Sequence, residues 1–488
     1  MYNHTNIIPR YIRQIIYLLS ALMFAYFAGF SMYDDGMRHI AFAAHPDIMK
    51  SWGDVFPNSL FVKDYDPWYL WDQLLAFLIP FVGFEYIHIF INTFIAFALF
   101  ILVDIYLSRY VKYNLSSLVI IITLGIVAMS TWRYFNMRPD ALSGIFVLAS
   151  LLLRNSFISN LILTAIYGPF YYVFWIYTGS IGLVRLYQGY YKAFFGLVAG
   201  SLVALAIHFY FGGINYWNVT LYVFQDQSLR QGLSVGESMP IFSFLKELNY
   251  IYLSPLFFGI TVFLLYKFPT YFKTNTLAIF LLLTSILWIN QYRFYYNFYP
   301  ILLVFLFITL MNMNKKHFFY SILYYLARFK HFMLLAQNKK IFFFAVIPYT
   351  ALMFALSIQN TENNNRLKET NYYSKKIFNN KIILSNDITT DLNFALYNNP
   401  SIKFIPSCGI GWFNTSNKEI KDIYIRMRKE EGISIKELEK LLKYVKPDFY
   451  MHRLNHKNTI NFSLFKTVGL EPLQIIDHAI LFKYISKK

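Results

Sequence analysis

YIHIFINTFIAFALFILVDIYL, residues 86–107, is an apolar run of the length that a helix needs to cross a membrane. The hydrocarbon core of a bilayer is ~30 Å thick and an α-helix rises ~1.5 Å per residue, so about 20 apolar residues span it. The whole chain shares this character, since 57% of its 488 residues are hydrophobic, 20% are aromatic and only 14% are charged. This composition, with a mean hydropathy of +0.40, is not that of a soluble protein.

Further apolar runs of this kind occur at 15–32, 116–131, 193–211, 251–266, 276–289, 298–312 and 341–357. A shorter run covers 141–153, and the segment 157–187 is too long for one helix. YGP (167–169) and TGS (178–180) interrupt that segment, so we expect two short helices within it. The sequence therefore predicts a polytopic α-helical membrane protein with about eleven transmembrane helices.

The distribution of Lys and Arg predicts the orientation of these helices. If the N-terminus is cytoplasmic, the cytoplasmic loops of residues 1–359 carry 15 basic residues and the outward loops carry 8. This asymmetry is the one that membrane insertion produces. A single crossing at 157–187 would place every later basic cluster outside, so the charge distribution favours two helices there. An odd number of crossings exports the C-terminus, and the first helix, which has no small-residue cleavage site, is interpreted as a retained anchor.

After residue 359 the composition changes from apolar runs to an Asn- and Lys-rich segment. We expect strands at KIILSND (381–387), IKFIPS (402–407), DFYMHRL (448–454) and AILFKYI (479–485), and helices at TTDLNFALYNN (389–399) and SIKELEKLLKYV (434–445). Strands that alternate with helices predict a soluble α/β domain at 360–488, outside the membrane, beyond a transmembrane domain at 1–359.

The formal charge of +18 does not indicate a nucleic-acid partner. In the membrane part the excess is the cytoplasmic bias that topology requires, and it indicates anionic membrane lipids as partners. Cys408 is the single cysteine, so no disulfide can form within the chain.

Acidic residues are concentrated in the first outward loop, residues 33–73. Residues 1–359 hold 13 acids, and seven of them lie in this loop: Asp34, Asp35, Asp47, Asp54, Asp64, Asp66 and Asp72. For Asp47 and Asp54 an outward position alone is a sufficient explanation. Asp34 and Asp35 end the first apolar run, where a like-charged pair is costly unless it has a partner or a task. Such a pair can act as a general base or share a divalent cation.

An acidic pair directly after the first helix, followed by an interfacial loop rich in Trp, Tyr and Asp, resembles the GT-C superfamily of membrane glycosyltransferases. Asp34 and Asp35 with Arg38 and His39 resemble the Asp-Glu and Arg-Tyr of aminoarabinose transferases and protein O-mannosyltransferases, although the Arg here comes one position later. The resemblance implies sugar transfer from a polyprenyl-phosphate donor to an acceptor hydroxyl, with inversion, at the outer face of a bacterial cytoplasmic membrane. It implies that Asp34 or Asp35 is the base and leaves open which one.

Three other outward segments supply candidate substrate-binding residues. WRYFNMRPDAL (132–142) carries Arg133, Arg138 and Asp140, although Arg-Pro-Asp can also be a simple helix start. NQYRFYYNFYP (290–300) carries Arg293 and Tyr295, and its Arg suits a lipid phosphate or a snorkelling interfacial position. Asp66, in DYDPWYLWDQ (64–73), is a candidate second acid for the acceptor or a metal.

The sequence leaves the cofactor open, and a divalent metal, if one is needed, would have Asp34, Asp35 and Asp66 as its candidate ligands. The expected partners are a lipid-linked sugar donor and a glycan, lipid or protein acceptor. Two other classes stay open: a lipid-linked oligosaccharide transporter, polymerase or ligase without carboxylate-base chemistry, and a non-catalytic scaffold. A transporter would need polar or charged residues along mid-membrane helix faces.

Overall fold

A computed structural model describes most of the chain, in two compact units. The first unit comprises residues 1–31, 85–205 and 239–361, and the second comprises 32–84, 206–238 and 362–488. The second unit thus joins the predicted outward loop to the C-terminal segment. The described residues are 8–28, 36–48, 52–57, 68–110, 116–134, 137–153, 155–225, 276–284, 300–308, 358, 371–385, 395–405, 415–428, 433–453, 462–476 and 479–485.

Most of the described elements are helices. In chain order they are α1 (Arg10–Ala28), α2 (Gly36–Ala44), α3 (Trp52–Val55), α4 (Tyr69–Val82), α5 (Ile87–Tyr110), α6 (Ser116–Tyr134), α7 (Ala141–Leu152), α8 (Phe157–Tyr167), α9 (Phe174–Tyr187), α10 (Tyr191–Gly212), α11 (Ile214–Gln225), α12 (Thr276–Leu283), α13 (Lys418–Arg428), α14 (Ile435–Val445) and α15 (Phe462–Thr467). Residues 300–308 are also helical.

Two of the described helices are long and apolar enough to cross a membrane, α5 over Ile87–Arg109 and α10 over Tyr191–Gly212. They coincide with the predicted runs 86–107 and 193–211. The division of 157–187 is also confirmed, because α8 passes into a 3-10 turn at Gly168–Phe170 before α9 begins. The runs 251–266 and 341–357 lie outside the described residues, and 276–289 and 298–312 are described only in part.

Helices α8 and α10 approach each other backbone to backbone at two glycines. A Cβ atom on Gly196 would collide with the carbonyl oxygen of Phe157, and one on Gly200 would lie 2.7 Å from that of Leu161. Gly196 and Gly200 are spaced as in the small-xxx-small pattern that lets membrane helices pack closely. The stripe of small residues on α10 is therefore a packing surface for α8.

A buried ion pair joins α1 to α5. Arg13 Nη1 lies 2.8 Å from Asp104 Oδ1, and their side chains are 13% and 8% exposed. The Tyr17 hydroxyl donates to the same oxygen at 2.9 Å, and the Tyr17 ring stacks on Phe100 with the ring centroids 5.4 Å apart. The single acid within α5 thus has two partners on α1, near the N-terminal end of that helix.

A second set of contacts joins other helix ends in the first unit. Arg185, on α9, donates from Nη2 to the carbonyl oxygens of Ser150 and Leu153 at the end of α7. Gln188 Nε2 donates to Thr276 Oγ1 at 2.7 Å, which joins the end of α9 to the start of α12. Further contacts of this kind link Arg109 Nη1 to Leu152 O and Ala193 N to Asn155 Oδ1. The start of α12 and the ends of α5, α7 and α9 therefore lie near one another.

The C-terminal part of the second unit contains a five-stranded mixed sheet. Its strands are β1 (Ile382–Ser385), β2 (Lys403–Phe404), β3 (Phe449–Arg453), β4 (Leu470–Ile476) and β5 (Ala479–Tyr484), in the order β2-β1-β3-β5-β4. β1 is parallel to β2 and β3, whereas β5 is antiparallel to β3 and β4. The four predicted strands are confirmed, and β4 is an additional edge strand.

Helices α13 and α14 supply one side of the core of this sheet region. Leu441 and Leu442 of α14 pack in one buried cluster with Phe482 of β5. Ser434 caps α14, because its Oγ accepts from the Glu437 backbone N–H while the Glu437 carboxylate accepts from the Ser434 N–H. The predicted helix at 434–445 is confirmed. Of the predicted helix at 389–399 only 395–399 is described, and residues 395–398 of it are helical.

Candidate functional site

Helix α2 directly follows the acidic pair in the sequence and is almost entirely buried. All residues from Gly36 to Ala43 are buried in this nine-residue helix, including the charged or ionisable Arg38 and His39. α2 packs on α4, which also belongs to the second unit. A helix that buries both its apolar and its ionisable side chains is held in a defined orientation, since each buried polar group needs a partner.

The contact that defines this packing is between His39 and Asp72. His39 Nδ1 lies 2.7 Å from Asp72 Oδ1, and the two side chains are 2% and 1% exposed. A carboxylate is an acceptor, so the imidazole donates from Nδ1–H. The Trp68 ring meets the His39 ring edge-on, with the centroids 5.2 Å apart and the planes at 87°. Asp72 and Trp68 together fix the orientation of the imidazole.

This contact brings the first turns of α2 and α4 side by side. His39 is the fourth residue of α2, and Asp72 is the fourth residue of α4. In the sequence, Asp35 immediately precedes α2, and Asp66 lies three positions before α4. The chain therefore enters both helices from acid-rich segments, and the two helices meet within one turn of those entries.

Arg38 adds a buried positive charge to α2. It is 2% exposed, and its guanidinium carbon lies 5.7 Å from the centroid of the Phe56 ring. A guanidinium at this distance from an aromatic face is favourably placed for a cation–π interaction. Phe56 directly follows α3, so Arg38 links α2 to the middle of the first outward loop.

The first outward loop also contacts the C-terminal segment within the second unit. Helix α3 of the loop packs against β2, and just beyond the loop, after α4, the Phe84 ring stacks on the Tyr397 ring with the centroids 4.5 Å apart. His45, just after α2, meets the Phe84 ring edge-on at 6.1 Å, and burial lowers the pKa of this histidine. The loop and the C-terminal sheet region therefore form one packed body.

In the first unit, Arg138 and Asp140 lie in a tight turn before α7. Met137 has a positive φ of 49°, a conformation that is uncommon for a residue with a side chain. Met137 and Asp140 are buried, and the Ser143 N–H donates to the Asp140 carbonyl oxygen at 3.0 Å. Asp140 directly precedes α7, as the helix-start interpretation predicted, and the binding roles of Arg138 and Asp140 stay predictions.

For the other predicted site residues the structure gives at most a position in a helix. Arg133 is the penultimate residue of α6. Among the described residues, no group of three or more His, Cys, Asp or Glu side chains could hold a metal ion. Five of the predicted site residues lie outside the described part of the chain: Asp34, Asp35, Asp66, Arg293 and Tyr295.

Sequence reasoning missed Asp72 as a site residue and favoured Asp66 as the second acid of this segment. One signal for Asp72 was available: it is an acid in the first turn of a helix whose other residues are almost all apolar. Its partner is 33 positions away, and no local pattern indicates such a pairing.

No protein-family model matches the chain, and no curated protein matches it.

Proposed function

We propose that the protein is an integral-membrane glycosyltransferase of GT-C type. It transfers a sugar from a polyprenyl-phosphate donor to an acceptor hydroxyl on the extracytoplasmic face of the membrane. The observation that carries the proposal is the buried contact between His39 and Asp72, because it joins α2 and α4 next to the acid-rich segments at Asp34, Asp35 and Asp66. A general base must be held within hydrogen-bond reach of its proton, and a helix held in one orientation directly after the acidic pair in the sequence suits that requirement.

In this proposal Asp34 or Asp35 removes the proton from the acceptor hydroxyl as that oxygen attacks the anomeric carbon of the donor sugar. The bond from the anomeric carbon to the phosphate oxygen breaks, and the polyprenyl phosphate leaves with both electrons of that bond. Arg38 and His39 are buried in α2, so in this proposal they hold that helix in place rather than contact the substrate, and Asp66 is the second acid.

The donor phosphate is assigned to arginines of the other outward segments. Arg293, with Tyr295, and Arg138 are the proposed phosphate ligands, because a planar guanidinium offers paired donors to phosphate oxygens. Arg133 and Asp140 complete the proposed binding set. The assignment of Arg138 is supported by its position in a turn between Met137, which has a positive φ, and the start of α7.

We further propose about eleven crossings of a bacterial cytoplasmic membrane, with the N-terminus inside and residues 360–488 outside. The contacts of α9 with the end of α7 and the start of α12 agree with the predicted order of crossings, because that topology places all three ends on one side of the membrane. The ion pair between Arg13 and Asp104 also agrees with the predicted topology. It joins the start of α1, the first crossing, to the end of α5, the second crossing. The exported sheet region, which packs on the first outward loop, helps to select the acceptor.

A transporter of lipid-linked sugars is the alternative class. Among the described residues of the helices α5 to α12, Asp104 is the only acid, and it is engaged by Arg13 and Tyr17. Its two structural partners on α1 make Asp104 a poor candidate for a group that binds a substrate on its way through the membrane. Asp104 therefore gives no support to the transporter class.

Proteoliposomes loaded with a labelled polyprenyl-phosphate sugar separate the two classes. The transferase proposal predicts that the sugar leaves the lipid and appears on an added acceptor, with free polyprenyl phosphate as the second product. Movement of the intact lipid-linked sugar between leaflets, with no cleavage for any donor sugar, would contradict the proposal and support the transporter.

A further inference from the structure

Helix α4 buries one face and exposes the opposite one. It packs on α2, and its buried side chains recur at helical spacing on one face: Trp71, Asp72 and Leu75. Its most exposed side chains recur at the same spacing on the other face: Gln73, Phe77, Pro80 and Phe81. Phe77 and Phe81 are 65% and 76% exposed, so most of both rings has no cover within the protein.

The exposed face of α4 does not have the composition of a face that meets water. A solvated helix face normally carries charged residues, but the only charged residue of α4 is Asp72, which is buried. The rings of Phe77 and Phe81 lie next to each other, with the centroids 5.4 Å apart, and form one aromatic surface. An exposed apolar surface of this kind marks a site of contact with another apolar body.

Both ends of α4 are tied to the two helices that are long enough to cross a membrane. At its start, the Tyr69 ring stacks on the ring of Phe211, near the end of α10, with the centroids 4.0 Å apart. At its end, the four residues 83–86 lead into α5, and a link of this length spans at most about 18 Å. The predicted topology places the end of α10 and the start of α5 at the outward membrane surface.

The length of α4 excludes a further crossing. Its 14 residues rise about 21 Å, whereas the hydrocarbon core is about 30 Å thick. A helix that is too short to cross, and that has both ends tied to the same membrane surface, runs along that surface. The apolar body that meets its exposed face is then the bilayer.

We propose that the face of α4 formed by Phe77, Pro80 and Phe81 is a membrane-binding surface that inserts into the acyl chains of the outward leaflet. In-plane helices of this kind bury their apolar face about 5–10 Å into the boundary between headgroups and acyl chains. Because α2 packs on α4 and the buried face of α4 is opposite the inserted one, α4 separates α2 from the lipid. The inference rests on the crossings proposed above and does not depend on sugar transfer.

Spin labels on the full-length protein in vesicles of phosphatidylethanolamine and phosphatidylglycerol test this surface. Cys408 is the only cysteine, so a Cys408→Ser background accepts a nitroxide at one chosen position. Phe77→Cys and Phe81→Cys are labelled separately, and both positions are exposed enough to carry a label without repacking of α4 on α2. Molecular oxygen concentrates among acyl chains and a neutral nickel chelate stays in water. Both labels should collide more with oxygen than with nickel, at a depth of about 5–10 Å below the phosphates.

Two matched controls calibrate the measurement. Phe94→Cys places the label at a 61% exposed position within α5, where the lipid pattern is expected. Lys436→Cys places it at an exposed position of α14 in the sheet region, where the water pattern is expected.

Three results would overturn the proposal. Nickel accessibility at Phe77→Cys and Phe81→Cys equal to that at Lys436→Cys would place the face in water. Exclusion of both reagents would mean that protein covers the face, and dipolar broadening between labels would identify that protein as a second copy of the chain. A water pattern at Phe94→Cys would overturn the crossing by α5 together with this inference. No outcome depends on turnover, so the membrane-binding surface and the transferase proposal can fail separately.

Discussion

Replacing Asp104 by Asn removes the charge that joins α1 to α5 and leaves the shape of the side chain almost unchanged. Arg13 and Asp104 are 13% and 8% exposed, so solvent replaces the lost partner only in small part. Breaking a buried ion pair from one side typically costs about 3–5 kcal/mol, against about 0–1 kcal/mol for an exposed pair. We expect a loss of stability near the lower end of the buried range, because Asn still offers an oxygen to the Tyr17 hydroxyl at the position where Asp104 accepts it.

The measurement is the thermal unfolding of purified protein in detergent micelles, followed for wild type and three variants. Asp104→Asn should lower Tm clearly. Arg13→Gln combined with Asp104→Asn should be less destabilised than the sum of the single changes, because the double variant leaves no unpaired charge, and couplings of about 0.5–3 kcal/mol are usual for residues in contact. Ser108→Ala is the control, since it removes only an exposed 3.1 Å contact to Arg13.

The reasoning fails if Asp104→Asn melts with the wild type, or if the double variant loses the full sum of the two single effects. The first result would mean that the pair is solvated or that α1 does not depend on it. The second would mean that Arg13 and Asp104 stabilise the protein independently.

Two further predictions concern other parts of the molecule. Gly196→Val should separate α8 from α10 and lower the thermal stability in micelles by about 1–3 kcal/mol, because its side chain meets the Phe157 carbonyl, whereas Gly125→Ala, at a position with open space, should have a small effect. Burial lowers the pKa of His452 in β3 to about 4, below the value of about 6.5 expected for the unfolded chain, so its contribution to stability should be complete above pH 6.5 and fall as the pH drops towards 4. The loss is at most about 3 kcal/mol, and melting curves between those pH values should depend less on pH in His452→Gln than in the wild type.

The features that the sequence predicted correctly are those with local causes. The division of 157–187 follows from Gly168 and Pro169, because proline lacks the N–H that a continuing helix needs. Helix α14 follows from the Ser434 and Glu437 capping box together with its amphipathic spacing.

The features that the sequence did not predict depend on contacts between distant residues, or on a residue whose usual preference is against the observed element. Strand β4 contains Pro472, which argues against a strand, and the structure accommodates it at the sheet edge beside a register shift between Pro472 and Gln474. In the candidate site, the sequence placed Arg38 and His39 in the loop but could not pair His39 with Asp72, because 33 residues separate them.

The most direct test of the transferase proposal is turnover of a labelled polyprenyl-phosphate sugar by three single variants reconstituted in liposomes: Asp34→Asn, Asp35→Asn and Asp47→Asn. The proposal predicts that at least one change in the acidic pair lowers kcat by about 10²- to 10⁴-fold, the usual loss when a general base is removed. Asp47→Asn, an exposed position in the same loop, should behave as the wild type. Near-normal turnover in both Asp34→Asn and Asp35→Asn, with folded protein in the membrane, would contradict the assigned chemistry.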